Sequence, residues 1–266
     1  MGSRTFVVSD VHGHVGELHA ALRRAGLTDD AGNWAGADAT LWFLGDFFDR
    51  GPDGIGVVDT VRRLAAQASS AGRGRVRALL GNHEILALGM HRFGTTEVPY
   101  DGLLPRTFER SWVLNGGRDA DQEGLTEDHI AWLHGLPVLA LEGDHLLMHA
   151  DTDEYLHWGR SVDEINAAVQ AELASDDIAV CWEIWRRMTT RYAFRGRRGP
   201  GVARDLLKRL GGRRIVHGHS VIADLAGVEP AALTGPVLYA DGLVLGIDGG
   251  VFDEGPCLLV ELPPVV

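Results

Sequence analysis

TFVVSDVHGH, residues 5–14, opens the chain with an unbroken apolar and β-branched run that ends in Asp10, His12 and Gly13. A strand buried on both faces reads this way. Val15, Leu18, Leu22 and Ala25 then recur at helical spacing as far as the break at Gly26, so the stretch is a β-loop-α unit. The unit repeats. Leu41 to Leu44 (LWFL) runs into Gly45 and Asp46, and after Pro52 a helix carries Val57, Val61, Leu64, Ala65 and Ala68 on one face. Arg75 to Leu80 gives a third strand, with a helix from about Glu84. Each loop leaving the C-terminal end of a strand is rich in Asp, His, Gly and Asn, and open α/β sheets place their sites there.

Residues from about 92 to 123 show weak periodicity and many polar residues and glycines, which predicts an insertion over the site within a single domain spanning 1–266. Thr126 reads as an N-cap, and Pro137 to Leu141 and His145 to Met148 as strands around a turn at Gly143. Helices fill about 162–209. Arg213 to Val216, Val237 to Tyr239, Val244 to Ile247 and Cys257 to Leu262 read as further strands in antiparallel hairpins. A run of βα units followed by a strand-rich end suggests two packed sheets with helices outside.

The chain has 266 residues, 45% of them hydrophobic and 23% charged, enough for a substantial core. Its formal net charge of −12 argues against broad binding to nucleic acid or to an anionic membrane, since both need a basic face. Anionic substrates stay open, because bound divalent cations can dominate their local field. Two distant cysteines, Cys181 and Cys257, read as buried and reduced, and Met1 to Arg4 lead straight into a strand without a signal-peptide pattern. A cytoplasmic protein is the expectation.

Five short motifs carry the chemistry: SDVHGH at 9–14, LGDFFDRG at 44–51, LGNHE at 80–84, LMHAD at 147–151 and VHGHS at 216–220. Each alone is an ordinary loop. Together they place carboxylate, imidazole and amide oxygen directly after strands, a donor set suited to Mn, Fe or Zn. With Asp46 bridging two divalent ions about 3.5–4 Å apart, Asp10 and His12 complete one coordination sphere, and Asn82, His149 and His219 the other. Asp49 and Arg50 follow the bridging Asp46, and His83 and Glu84 follow Asn82, so both pairs reach the rim of the site. His83, oriented by Asp49, is expected to act as general acid, Arg50 to hold phosphate oxygens, and a hydroxide bridging the ions to attack.

From Ser9 to about Gly250 these motifs resemble, in letters, order and spacing, the phosphoprotein phosphatase branch of the calcineurin-like metallophosphoesterases. The similarity is greatest to bacterial and Shewanella-like phosphatases, through AGLTDDAGNWAGADATLWFLGDFFDRGP at 25–52 and VDEIN at 162–166. The resemblance implies an α/β fold with a four-layer αββα sandwich of two mixed sheets. It also implies a dinuclear site often filled by Mn, or by Fe with Zn, and hydrolysis of a phosphorylated protein or a small phosphomonoester. It maps the six ligands and the His83–Asp49 pair onto the residues named above, and a second phosphate-binding arginine onto Arg187 of Trp185–Arg187, with Arg186, Arg191 and Arg160 as rivals. The same metal core serves symmetrical dinucleoside polyphosphate hydrolases and phosphodiesterases; a non-catalytic metal-binding module is the other class. Three positions depart from the pattern. Asp151 stands where the family has Gly, and could repel a bulky anion or support a ligand. His14 replaces Asp or Asn. VHGHS offers two histidines, of which His219 follows the glycine as the pattern requires.

Overall fold

The structure, a computed structural model, describes residues 3–99 and 105–262. Residues 100–104 of the expected insertion and the first two residues of the N-terminal reading lie outside the described residues. Three βα units come first: β1 (Thr5–Val8), α1 (Val15–Arg24), β2 (Thr40–Phe43), α2 (Gly54–Ser70), β3 (Arg75–Ala78) and α3 (Asn82–Phe93). Then follow α4 (Phe108–Leu114), α5 (Asp119–Gly124), α6 (Glu127–His134), β4 (Leu139–Glu142) and β5 (His145–Met148). The last part holds α7 (Val162–Leu173), α8 (Ile178–Met188), α9 (Gly199–Leu210), β6 (Arg214–His217), α10 (Ala223–Ala226), β7 (Val237–Tyr239), β8 (Val244–Gly246) and β9 (Leu259–Glu261).

Two mixed sheets form, in the orders β3-β2-β1-β9 and β4-β5-β6-β8-β7. The strands are apolar on both faces because both faces are covered. Val7, Trp42 and Leu44 of the first sheet meet Leu147, Val216 and Leu245 of the second in one buried cluster between the sheets. The opposite faces carry Val8, Leu41 and Phe43 on one side and Leu146, Met148 and Ile215 on the other, and they pack against the helices. Each such side chain contributes about 1.5–3 kcal/mol through burial. The result is the expected four-layer αββα sandwich.

The late strands differ from the sequence reading in part. β7 and β8 form the expected antiparallel hairpin, but β6 runs parallel to β5 and β8, and β9 leaves them to pair antiparallel with β1 in the other sheet. The segment carrying α10 between β6 and β8 is long enough for a crossover, which hairpin reasoning does not anticipate. Parallel pairing aligns the C-terminal ends of β5, β6 and β8, just as it aligns those of β1, β2 and β3. α3 also starts two residues earlier than expected, so Asn82 and His83 occupy its first turn. Within the insertion, α4 and α5 are short helices, and α4 is capped by the Thr107 hydroxyl.

Candidate active site

The loops after β1, β2, β3, β5 and β6 converge, and they are strained where they do. Six candidate residues, Asp10, His12, Asp46, Asp49, Arg50 and His219, have left-handed backbones with φ between 44° and 68°. Residues other than glycine rarely adopt that region, and such strain concentrates at functional sites. Two glycines make the close approach possible. A Cβ on Gly218 would sit 1.7 Å from Ser9 Oγ and 2.1 Å from Asp10 Oδ2, and one on Gly45 (φ 101°) 2.5 Å from the Gly81 nitrogen.

Asp46 lies at the centre. Its Oδ1 accepts from the His83 backbone N–H at 3.0 Å and lies 3.2 Å from His149 Nε2, and its Oδ2 is 3.6 Å from His12 Nε2. Backbone carbonyls orient the three imidazoles. His12 Nδ1–H donates to Phe48 O (2.8 Å), His149 Nδ1–H to Leu44 O (2.9 Å), and His219 Nε2–H to Thr189 O (3.2 Å). This leaves His12 Nε2, His149 Nε2 and His219 Nδ1 as the inward-facing donor atoms, as the outer hydrogen bond of a metal-binding histidine does. Asn82 Oδ1 is 2.8 Å from His149 Nε2. His219 Nδ1 is buried and has no hydrogen-bond partner, the kind of orphaned atom a cation would satisfy.

Among the described residues, two groups of side chains could each hold a metal ion: His12, Asp46 and His83, and Asp46, His149 and His219. Asp10 stands outside both. Its carboxylate oxygens accept from the His219 backbone N–H at 3.0 and 2.9 Å, and Ser9 Oγ donates to Oδ2. His217 is committed elsewhere, donating from Nδ1 to Gly218 O and accepting at Nε2 from the Tyr239 hydroxyl, both at 2.7 Å. His83 is better placed in another role, because its Nδ1–H donates to Asp49 Oδ2 at 2.6 Å.

Electrostatics prepare the donors. Burial acts against the Asp46 carboxylate, but the imidazoles of His149, His83 and His12 outweigh it and hold it well below the usual range. Burial, aided by neighbouring positive groups, holds His12 and His219 well below the ordinary imidazole value, so both are neutral. Burial would also lower His149, but Asp46, Asp10 and Glu84 raise it to about 9.

The sequence reading expected Glu84 at the rim, where the structure buries it as a support, and it missed two further supports. Glu84 is fully buried and accepts from the backbone N–H groups of Asp46 (2.8 Å), Phe47 (2.7 Å) and Gly81 (2.8 Å), tying the β2 and β3 loops together. Burial and the Asp46 charge push it up to about 7. Asp248, after β8, is buried near Asp10; burial and that neighbour push it well above the usual carboxylate value. The insertion grips the His83–Asp49 pair: Trp112 Nε1–H donates to Asp49 Oδ1 (2.9 Å), Asp121 Oδ2 accepts from the Asp49 N–H (3.2 Å), and Gly116 O accepts from the Arg50 N–H (2.7 Å). Trp112→Phe is expected to lower kcat by about 10–10²-fold with little change in KM, since a hydrogen bond to a charged group contributes about 1.5–3 kcal/mol. Unchanged steady-state kinetics would show that Trp112 merely packs.

Asp151 faces inward, away from any substrate. It is fully buried, its Oδ1 accepts from the Ser220 hydroxyl (2.6 Å), and its Oδ2 accepts from the Tyr192 N–H (3.0 Å). It therefore supports the His219 loop, and repulsion of a bulky anion is not its role. Arg187 is engaged away from the cluster, by Glu154 and by Glu183 at 2.7 Å. Its rival Arg191 is the arginine whose charge bears on His219. Arg50 Nη2 donates to His83 Nε2 at 3.1 Å.

Residues 3–223 match the family model described as calcineurin-like phosphoesterase. The chain is 31% identical over 173 residues to a symmetrical bis(5'-nucleosyl)-tetraphosphatase of Edwardsiella ictaluri, covering 65% of this chain and 52% of that protein. It thus spans about half the length of that curated relative. Among solved structures it is similar to the cold-active protein-tyrosine phosphatase of a psychrophilic Shewanella (TM-score 0.73, 23% identity, 98% of this chain and 76% of that one). It is also similar to a putative diadenosine tetraphosphatase (TM-score 0.53, 19% identity, 98% and 93%). No helix among the described residues is long and apolar enough to cross a membrane. A match over most of its length, on a fold whose loops bring these residues to one place, makes the chain a member of the calcineurin-like phosphoesterase family.

Proposed function

We propose that the chain hydrolyses phosphomonoesters with the help of two divalent ions, Mn foremost and Fe or Zn as alternatives. Asp10, His12 and Asp46 would hold one ion, and Asp46, Asn82, His149 and His219 the other. The observation that carries this reading is the orphaned His219 Nδ1 beside Asp46 and His149, together with the His83–Asp49 pair that directly follows Asn82 at the start of α3. When bound, the ions supply Lewis acidity and lower the pKa of the attacking water. The chain's own residues do the rest. Asp49, held by Trp112, orients His83 through Nδ1 and favours its charged form, so that Nε2, once released by Arg50 and protonated from solvent, delivers that proton to the departing oxygen. Arg50 exchanges its contact with His83 Nε2 for the phosphate oxygens, which suit its planar fork.

A second reading, hydrolysis of a dinucleoside polyphosphate, is favoured by the name of the tetraphosphatase relative. With Mn present, the protein is expected to hydrolyse p-nitrophenyl phosphate but neither bis-p-nitrophenyl phosphate nor diadenosine tetraphosphate. Preferential turnover of the tetraphosphate would favour the second reading, and no metal-dependent turnover of any of them would leave a metal-binding module.

A further inference from the structure

Exposed large hydrophobic side chains crowd one side of the site. Phe252, in the 3-10 turn Val251–Asp253 after β8, is 38% exposed, and its ring lies 4.0 Å beneath the Arg50 guanidinium. The same ring meets His12 edge-on at 5.4 Å. Val113 (61% exposed) and Leu114 (75%) stand at the end of α4, two or three residues before Gly116, whose carbonyl receives the Arg50 N–H. Phe252 thus flanks Arg50, whose guanidinium reaches His83 Nε2, the nitrogen assigned above to the leaving group, and the segment that ends α4 is tied to the Arg50 backbone. Whatever is bonded to the leaving oxygen lies on this side. An apolar wall with an open ring disfavours a small polar alkyl group, which gains little there, and favours a planar ring that can pack on Phe252 or on the guanidinium.

Resting on the phosphoester reading above, we propose that Phe252 is a specificity-determining residue that selects phosphoesters whose leaving group carries a planar aromatic ring. A phenol ring and a nucleoside base share that chemistry. In this arrangement one face of Phe252 keeps Arg50 at the mouth of the site, and the exposed remainder of the ring receives the ring of the substrate.

The test compares kcat/KM of the Mn-loaded wild-type, Phe252→Ala and Phe252→Trp proteins on phosphotyrosine, adenosine 5'-monophosphate and β-glycerophosphate. In Phe252→Ala the ratio of an aromatic to the alkyl substrate is expected to fall about 3–10-fold, and Phe252→Trp is expected to restore it. The aromatic substrate whose ratio falls further identifies which kind of ring the site takes. Equal losses on all three would show that Phe252 acts only through Arg50 and would overturn the inference, as would unchanged ratios. A wild-type protein that turns over none of the three overturns the phosphoester reading itself, and the inference with it.

Discussion

His83→Ala protein is expected to turn over substrate about 10²–10⁴-fold more slowly than wild type while retaining the same metal content. His83 touches the centre without being needed to complete it. Its Nδ1 is taken by Asp49 at 2.6 Å, and its Nε2 lies 3.9 Å from Asp46 Oδ2. The histidines facing Asp46 with better-placed nitrogens are His12, His149 and His219, and each is fixed by its own carbonyl. Removing the side chain therefore takes away a proton donor and leaves these donors in place. A poor leaving group needs that proton most, so the loss should be larger for an alkyl phosphate than for p-nitrophenyl phosphate. Metal analysis of dialysed protein and kinetics on both substrates check this. Loss of metal together with activity, or an equal loss on both substrates, would assign His83 to the metal centre, as the grouping of His12, Asp46 and His83 allows.

The difference between what could be read from the chain and what could not has a physical basis. The first three βα units were legible because each strand is a short apolar run and each helix presents one apolar stripe, signals that local periodicity carries. The converging site residues were legible because each sits within a few residues of such a strand end. The direction of β6 against β8 was not, since they are joined by a segment that carries α10 and β7 and leaves no periodic trace of its path. Trp112, Asp121 and Asp248 were missed, and Glu84 was expected at the rim, for a related reason: their partners are backbone or side-chain atoms of other loops, far away in sequence. Trp112 and Asp49 are 63 residues apart, and Glu84 and Asp46 are 38. Arg187 shows the converse. Its W-x-R spacing was present, but its charge is taken by Glu183 one helical turn away and by Glu154, contacts that a motif does not encode.

Asp46→Asn is expected to remove the site's capacity for two ions, with apparent affinity falling by more than about 10²-fold, the upper end of the cost of losing even a supporting group. Asp46 is the one carboxylate common to both groups of potential ligands, and an amide offers each ion a neutral oxygen at most. Its pH behaviour supplies a second, independent readout. In ion-free wild type, His149 sits at about 9, because Asp46, Asp10 and Glu84 outweigh burial. Below that value its Nε2 carries a proton that a metal must displace, so wild-type affinity should rise with pH up to about 9. For stability the folded-state value lies above the ordinary 6.5, so the His149 contribution is complete below 6.5 and is lost as pH rises through 9. Asp46→Asn removes the first-named source of that elevation. Chelated variant protein should therefore melt well below chelated wild type at pH 6, and the gap should narrow by pH 9. A gap of the same size at both pH values, or a variant that still binds two ions tightly, would mean that Asp46 neither bridges the centre nor sustains the charge on His149.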